Sequence, residues 1–578
     1  MKKLSIFLLL SAYASPLIAQ LPETKDPVIN DILKVISNFQ TKENRRDSVL
    51  NHPLGSNSEE DQLRRYTFND SLYKVIKRIP ASGLSNDGQI NLALLEYDIE
   101  EDLSNYIFKS YLNPILADEG FHTSFAGMGS QVLTTKKEFE DYIKRLKDLP
   151  RATDEYLVLM RKGLQLGICQ PRIILNGYEN TYQQHIVDNY QKSVFWTPFS
   201  KKPFAINDNE WKAIQAEGKT AVEDDAVATY KKIKIFFDTE YLPKTRTTIG
   251  VSHFPNGLDY YQDRTQHYTT TNITYQKVYE LGLSEVARIK NEMYDVLKKV
   301  NFKGSLQEFI AYLRTDPKFY ATTPEQLLKE ASYIAKRSDS WLPRFFGKLP
   351  RQPYGVEPVP AHLAPIYTAG RYSGAPLNSK RAANYWVNTY ELKSRPLYAL
   401  EALTLHEAVP GHHLQISLTK ELDSLPRFRR NLYVNAFGEG WGLYSEFLGT
   451  EMGFYTDPYS QFGKLTYEMW RACRLVIDVG LHTKEWTREQ AVKYLSENTA
   501  LSLHEVNTEI NRYISWPGQA LAYKMGELKI RELRKKAEEQ LREKFDIREF
   551  HDLVLSQGSV TLSILETMVE KWIEGKQK

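Results

Sequence analysis

The sequence predicts a mainly α-helical, two-lobed protein with one small β-sheet, and three observations support this. Apolar residues recur at helical spacing over long stretches, β-type patterning is confined to two short regions, and no linker, low-complexity tract or internal repeat divides the chain. Amphipathic helices are expected over Pro27 to Phe39, Asn91 to Leu112, Lys136 to Leu166, Glu223 to Phe237, Glu285 to Val300 and much of the chain after Leu521. Between Thr247 and Thr271, β-branched and aromatic residues surround Pro255-Asn256-Gly257, a turn signal that would close a hairpin. The stretch from Pro365 to Tyr390 is rich in Tyr, Gly and Pro, and its Ala383 to Asn388 reads as a strand.

The amino terminus has the layout of a secretory signal peptide over residues 1–19. Met1-Lys2-Lys3 is followed by an apolar run from Leu4 to Leu10, and then by Ala12, Ala14 and Ala19 before Gln20. Cleavage after Ala19 or Ala14 fits, and the apolar run is too short to span a bilayer. No Cys lies near the cut, so no lipid or other membrane anchor is expected, and a periplasmic or secreted protein is. Residues 20–578 then form a single two-lobed helical domain.

With 42% hydrophobic and 25% charged residues, the chain has an ordinary globular composition, and a net charge of +3 gives no reason to expect nucleic acid as a partner. Cys169 and Cys473 are too few for a disulfide framework, lack the surroundings of a nucleophile and read as buried thiols. Walker-type, dinucleotide-binding and Gly-x-Ser-x-Gly patterns are missing. His504-Glu505 has no second His four residues on and reads as helix surface, as does the run of alternating charge from Lys529 to Lys544.

The segment richest in chemistry is Leu403-Thr-Leu-His406-Glu407-Ala-Val-Pro410-Gly411-His412-His413-Leu-Gln415. A hydrolytic metal site needs two imidazoles, a third ligand, an open position for water and a carboxylate beside that water. His-Glu-x-x-His meets this need on a regular helix, but here Pro410 stands four residues after His406. On a straight helix His412 and His413 lie about 9 to 10.5 Å along the axis from His406. They can share a metal with it only if Val409-Pro410-Gly411 bends the chain, as Pro and Gly allow. Glu439, Leu443 and Glu446 fall on one helical face, so Glu439 could be the third ligand and Glu446 could hydrogen-bond an imidazole from behind. Gly440 and Gly442 would let that helix approach closely. Arg474 and His482 are two helical turns apart and could bind a substrate carboxylate, while Arg474 could equally pair with Asp478.

At these residues the chain resembles the domain-of-unknown-function family 885, whose members carry His-Glu-x-x-Pro-Gly-His-His-x-Gln. The resemblance extends to Phe254-Pro-Asn-Gly-Leu-Asp-Tyr-Tyr261, Leu281-Gly-Leu-Ser-Glu-Val286, Glu439-Gly-Trp, Arg471-x-x-Arg474-Leu-Val-x-Asp478-x-Gly-x-His482 and Arg512-Tyr513-x-x-Trp516-Pro-Gly-Gln-Ala520-x-x-Tyr523-Lys-x-Gly526. That family looks like a distant relative of the helical zinc peptidases, which include thimet oligopeptidase, angiotensin-converting enzyme and carboxypeptidase Taq. The resemblance implies a large two-lobed fold of that kind, with a small sheet beside the active-site helix and the metal-site half over about 355–578. It implies one zinc ion on His406, His412 and Glu439, although the two extra residues before Gly411 leave His413 as an alternative to His412. Glu407 would be the general base, and Tyr523, Tyr513 or His482 would steady the oxyanion, Tyr523 first among them.

The strand at Ala383 to Asn388 could hold an extended peptide as an edge strand does. The expected activity is hydrolysis of small peptides. The alternatives are a binding or scaffold protein that has kept the fold, and a zinc amidohydrolase acting on a non-peptide amide.

Overall fold

Side-chain caps open the helices where the apolar periodicity begins. Thr135 and Glu138 form a capping box that starts Lys136–Leu166, and Gly167, with φ 73°, ends it. The computed structural model describes residues 24–578 except 362, 363, 378 and 380, so the expected leader lies outside the described residues. Helices dominate, and the chain divides into two compact units, Thr24–Gly257 and Leu258–Lys578.

The first unit is built on Pro27–Leu50, Glu59–Ile76, Asn86–Ile107, Lys136–Leu166 and a near-continuous helical run over 208–244 that contains two π-helical segments, Ala221–Val227 and Phe237–Tyr241. Tyr142, Tyr182, Tyr230 and Phe237 lie in its core.

The second unit holds all the site candidates. Its central helix, Pro458–Thr483, is buried on every side from Leu465 to His482, as a helix surrounded by others must be. Tyr275–Lys299 packs along it, and Asn435–Leu448 packs along Ala522–Leu541. A three-stranded sheet of β1 (Tyr354–Pro358), β2 (Gly370–Ser373) and β3 (Ala383–Val387) lies against Leu400–Glu407.

Two expectations are corrected here. The Thr247–Thr271 region is no hairpin: a short 3-10 turn, Val251–His253, leads into the helix Gly257–Thr269. The reason is visible in burial, since Tyr261, Thr265, Tyr268 and Thr269 are buried at helical spacing and outweigh the turn signal. The strand at Ala383–Val387 is present but is not an edge. The order is β1-β3-β2, with β3 parallel to β1 and antiparallel to β2, so both its edges are used. Cys169 and Cys473 are buried free thiols; of the His504-Glu505 pair expected at the helix surface, His504 is exposed but Glu505 is buried.

Candidate metal centre

The helix Leu400–Glu407 stops immediately after the His-Glu pair, because Ala408 leaves helical dihedrals and a cis Val409–Pro410 bond follows. Four backbone groups of the turn are tied down. The Ala408 N–H donates to Thr404 O at 2.9 Å, and the His413 N–H returns to Ala408 O at 3.1 Å. The Val409 carbonyl accepts from Ser338 Oγ at 2.7 Å, and the Pro410 carbonyl from the Trp441 indole at 2.8 Å. Gly411 is required by close approach, since a Cβ there would stand 1.9 Å from the His406 carbonyl oxygen. This bend replaces the straight-helix separation and brings the two imidazoles together, with ring centroids 4.6 Å apart and planes at 86°.

His412 opens the next helix, His412–Glu421, and Glu439 comes from Asn435–Leu448. Glu439 Oε2 lies 3.7 Å from His406 Nε2 and 3.5 Å from His412 Nε2, and all three side chains are buried. Ligand bonds of about 2.0–2.2 Å at tetrahedral angles put ligand atoms about 3.3–3.6 Å apart. The trio therefore has the spacing to hold one small divalent cation, and its donor atoms lie within 4.8 Å of one another. Gly442 makes room for it, because a Cβ there would meet the His406 ring at 2.6 Å. Gly440 instead faces Gly526 of the Ala522–Leu541 helix.

Glu446 takes the place expected of it, accepting from His406 Nδ1 at 2.7 Å and thereby turning Nε2 toward Glu439. The Arg471 guanidinium lies 3.4 Å behind it, stacked on Trp470. Burial opposes a charged imidazole at His406, yet the Glu439 and Glu446 carboxylates outweigh it and hold the ring's pKa up to about 9. Burial likewise opposes ionisation of Glu439, and hydrogen bonds to His406 and His412 favour its charged form. Two carboxylates converging on two buried imidazoles make a strongly cation-seeking pocket.

Glu407 is half-buried beside the trio, and its Oε2 accepts from the Tyr372 backbone N–H of β2 at 2.8 Å. It acts electrostatically on both His406 and Tyr433. The Tyr523 ring stacks near His406 at 6.4 Å, with its hydroxyl accepting from Arg512 Nη2 at 3.2 Å and the Arg474 guanidinium 4.1 Å from its ring centre.

Several candidates sit elsewhere. His413 points away from the trio, packs on Tyr354 at 4.5 Å and lies 3.3 Å from Ser417 Oγ, where burial pushes its pKa down to about 4. Arg474 pairs with Glu509 at 2.7 Å rather than with Asp478, and its Nε donates to Tyr513 OH at 2.9 Å. Both Arg474 and Tyr513 are thus committed to a buried network. Asp478 accepts instead from Tyr261 OH and the Gly518 N–H. His482 donates from Nε2 to the Tyr513 carbonyl at 3.0 Å and packs on Tyr261, which is a structural placement.

The structure adds residues that the sequence did not single out. The Tyr433 hydroxyl donates to Glu439 Oε1 at 3.1 Å, and Arg512 and Arg471 hold Tyr523 and Glu446. Tyr433 precedes the Glu439 helix, so no helical periodicity could have placed it.

The fold is shared with solved structures. A candidate lipoprotein from Colwellia psychrerythraea is 30% identical with a TM-score of 0.82, over 90% of this chain and 92% of that one. A candidate lipoprotein of unknown function from Shewanella oneidensis, at 16% identity, shares the fold with a TM-score of 0.65 over 89% and 93% of the two chains. Among curated proteins, none matches. The model of the family described as bacterial protein of unknown function (DUF885) matches residues 40–569, and the chain belongs to that family.

Proposed function

We propose that this protein is a zinc-dependent peptidase of the cell envelope or exterior, acting on small peptides. The observation that carries the reading is a buried pair of imidazoles with a carboxylate oxygen 3.7 and 3.5 Å from their Nε2 atoms, with Glu407 directly after the first imidazole. Two nitrogens and one carboxylate oxygen are a donor set suited to catalytic zinc. Bound zinc supplies a Lewis acid that makes water nucleophilic near neutral pH.

The remaining chemistry belongs to the chain. Glu407 takes the proton of the attacking water and returns it to the leaving amine. The Tyr372 N–H holds one oxygen of Glu407 and leaves the other for that proton. The Tyr523 hydroxyl, steadied by Arg512, donates to the charge that develops on the peptide carbonyl oxygen. Glu446 fixes the orientation of His406. The edge of β2 that does not pair with β3 borders Glu407, so an extended peptide can add to it by backbone hydrogen bonds. The amino-terminal leader pattern and the likeness to candidate lipoproteins support an envelope or exterior location. Among the described residues, no helix is long and apolar enough to cross a membrane.

Elemental analysis of protein purified without chelator is expected to find about one zinc per chain. Glu407→Gln is expected to keep that zinc and lose at least about 10²-fold in turnover of di- and oligopeptides. A chain that stays metal-free after dialysis against zinc would leave a binding protein as the better reading, and unchanged turnover in the variant would remove Glu407 as the base.

A further inference from the structure

Glu439 divides its two oxygens between different partners. Oε2 stands 3.7 and 3.5 Å from the His406 and His412 Nε2 atoms, whereas Oε1 accepts from the Tyr433 hydroxyl at 3.1 Å. The division matters at a metal site, because an ionised carboxylate has two equivalent oxygens and binds a cation through one or through both. A phenol keeps its proton well above neutral pH, so Tyr433 is a donor to Oε1 and competes with a cation for that oxygen.

The seat of Tyr433 is built for this contact. Its ring lies on Gly438, the residue before Glu439 on the same helix. A Cβ at Gly438 would stand 2.2 Å from the Tyr433 hydroxyl oxygen and 2.3 Å from the ring carbon that carries it, so even alanine there would push the hydroxyl away. The chain leaving Tyr433 is fixed as well, since Val434 is fully buried and its N–H donates to Ser559 Oγ at 2.8 Å. The hydroxyl also lies within electrostatic reach of Glu407 and Tyr523, so it belongs to the group of side chains gathered around the trio.

We propose that Tyr433 is a positioning residue that limits Glu439 to one-oxygen ligation: its hydroxyl occupies Oε1, leaves Oε2 to the metal, and so reserves for water the coordination position that a second carboxylate oxygen would take. The inference rests on the metallopeptidase reading of this site and deepens it. A catalytic zinc with three protein ligands needs that position, because the nucleophilic water has to sit on the metal. Tyr433 and Glu446 thereby differ in what their loss does. Without Glu446 an imidazole loses its orientation and the metal is held less tightly. Without the Tyr433 hydroxyl, Oε1 is released to the metal as an added ligand, so binding persists and the water position closes.

The test is Tyr433→Phe in the full-length protein, which removes the hydroxyl and keeps the ring on Gly438. Cobalt(II) is loaded in place of zinc as a coloured probe, its affinity is measured by chelator competition, and azide, a small anion that takes the water position, is titrated against the cobalt absorption band. The variant is expected to hold cobalt within about threefold of wild type and to bind azide at least about tenfold more weakly. Gly438→Ala, which displaces the hydroxyl without deleting it, serves if the phenylalanine variant does not fold, and carries the same expectation. Azide affinity equal to wild type overturns the proposal. So does a loss of cobalt affinity of about tenfold or more, since Tyr433 would then be an ordinary support of the ligand. If wild type takes up no cobalt, the metallopeptidase reading and this proposal fall together. If the expected azide result is obtained but wild type hydrolyses no peptide, the peptidase reading falls and the role of Tyr433 at the metal stands.

Discussion

Glu446→Gln tests whether the trio is a metal site ordered from behind. In the structure His406 Nδ1 donates to Glu446 Oε1 at 2.7 Å, with both groups buried, so the bond is charge-assisted and unshared with water. The substitution preserves shape and an acceptor oxygen but removes the charge that makes Nε2 a stronger ligand. It also leaves Arg471, 3.4 Å away, without its opposite charge. Losing such a partner lowers metal affinity by about 10- to 100-fold, or about 1.4–2.7 kcal/mol. Zinc affinity would be measured by competition against a chromophoric chelator for wild type and variant at one pH, with circular dichroism confirming that both are folded. If Glu446→Gln binds zinc within about twofold of wild type, Glu446 does not tune His406 and the layered reading of the site is wrong.

Two further outcomes follow from the same geometry. His412→Ala is expected to lose most bound metal. His413→Ala should keep it while lowering stability by about 2–4 kcal/mol, because a buried ring packed on Tyr354 is removed; metal analysis and thermal unfolding check both, and the reverse pattern would restore His413 as the ligand. In the metal-free protein His406 titrates at about 9, against about 6.5 when unfolded, so its contribution, on the order of 3 kcal/mol, is complete below pH 6.5 and lost as pH rises through 9. Thermal unfolding of chelated protein should therefore weaken between pH 7 and 9, and less so for Glu446→Gln, whereas a flat profile over that window would contradict the His406–carboxylate cluster.

Features written in adjacent residues were legible from the sequence. The helix at Lys136–Leu166 is read to its ends because its capping box and terminal glycine lie within the segment itself. Spacing and residue type single out His406, Glu439 and Glu446 with His412 or His413, the family resemblance favours His412, and the structure brings His406, His412, Glu439 and Glu446 together. Pro410 and Gly411 permit the bend that makes the six-residue interval workable, but these two residues do not by themselves dictate its shape. The bend depends on Ser338 and Trp441, which reach the Val409 and Pro410 carbonyls from far along the chain.

The Thr247–Thr271 hairpin is a misreading in which a local turn signal is given more weight than local helical periodicity, whereas the misreadings of Arg474 and β3 share another cause, partner choice over long sequence distance. Arg474 had Asp478 one helical turn away and His482 two turns away, both local and chemically apt. Its partner is Glu509, 35 residues on, because Asp478 is taken by Tyr261 from a helix over two hundred residues earlier. The same holds for β3, whose strand character is local but whose central position is set by β1 and β2 on either side. Local periodicity therefore identifies which side chains can do chemistry, and long-range pairing decides which of them are left free to do it. By that criterion Arg474 is consumed in the network that holds Tyr523.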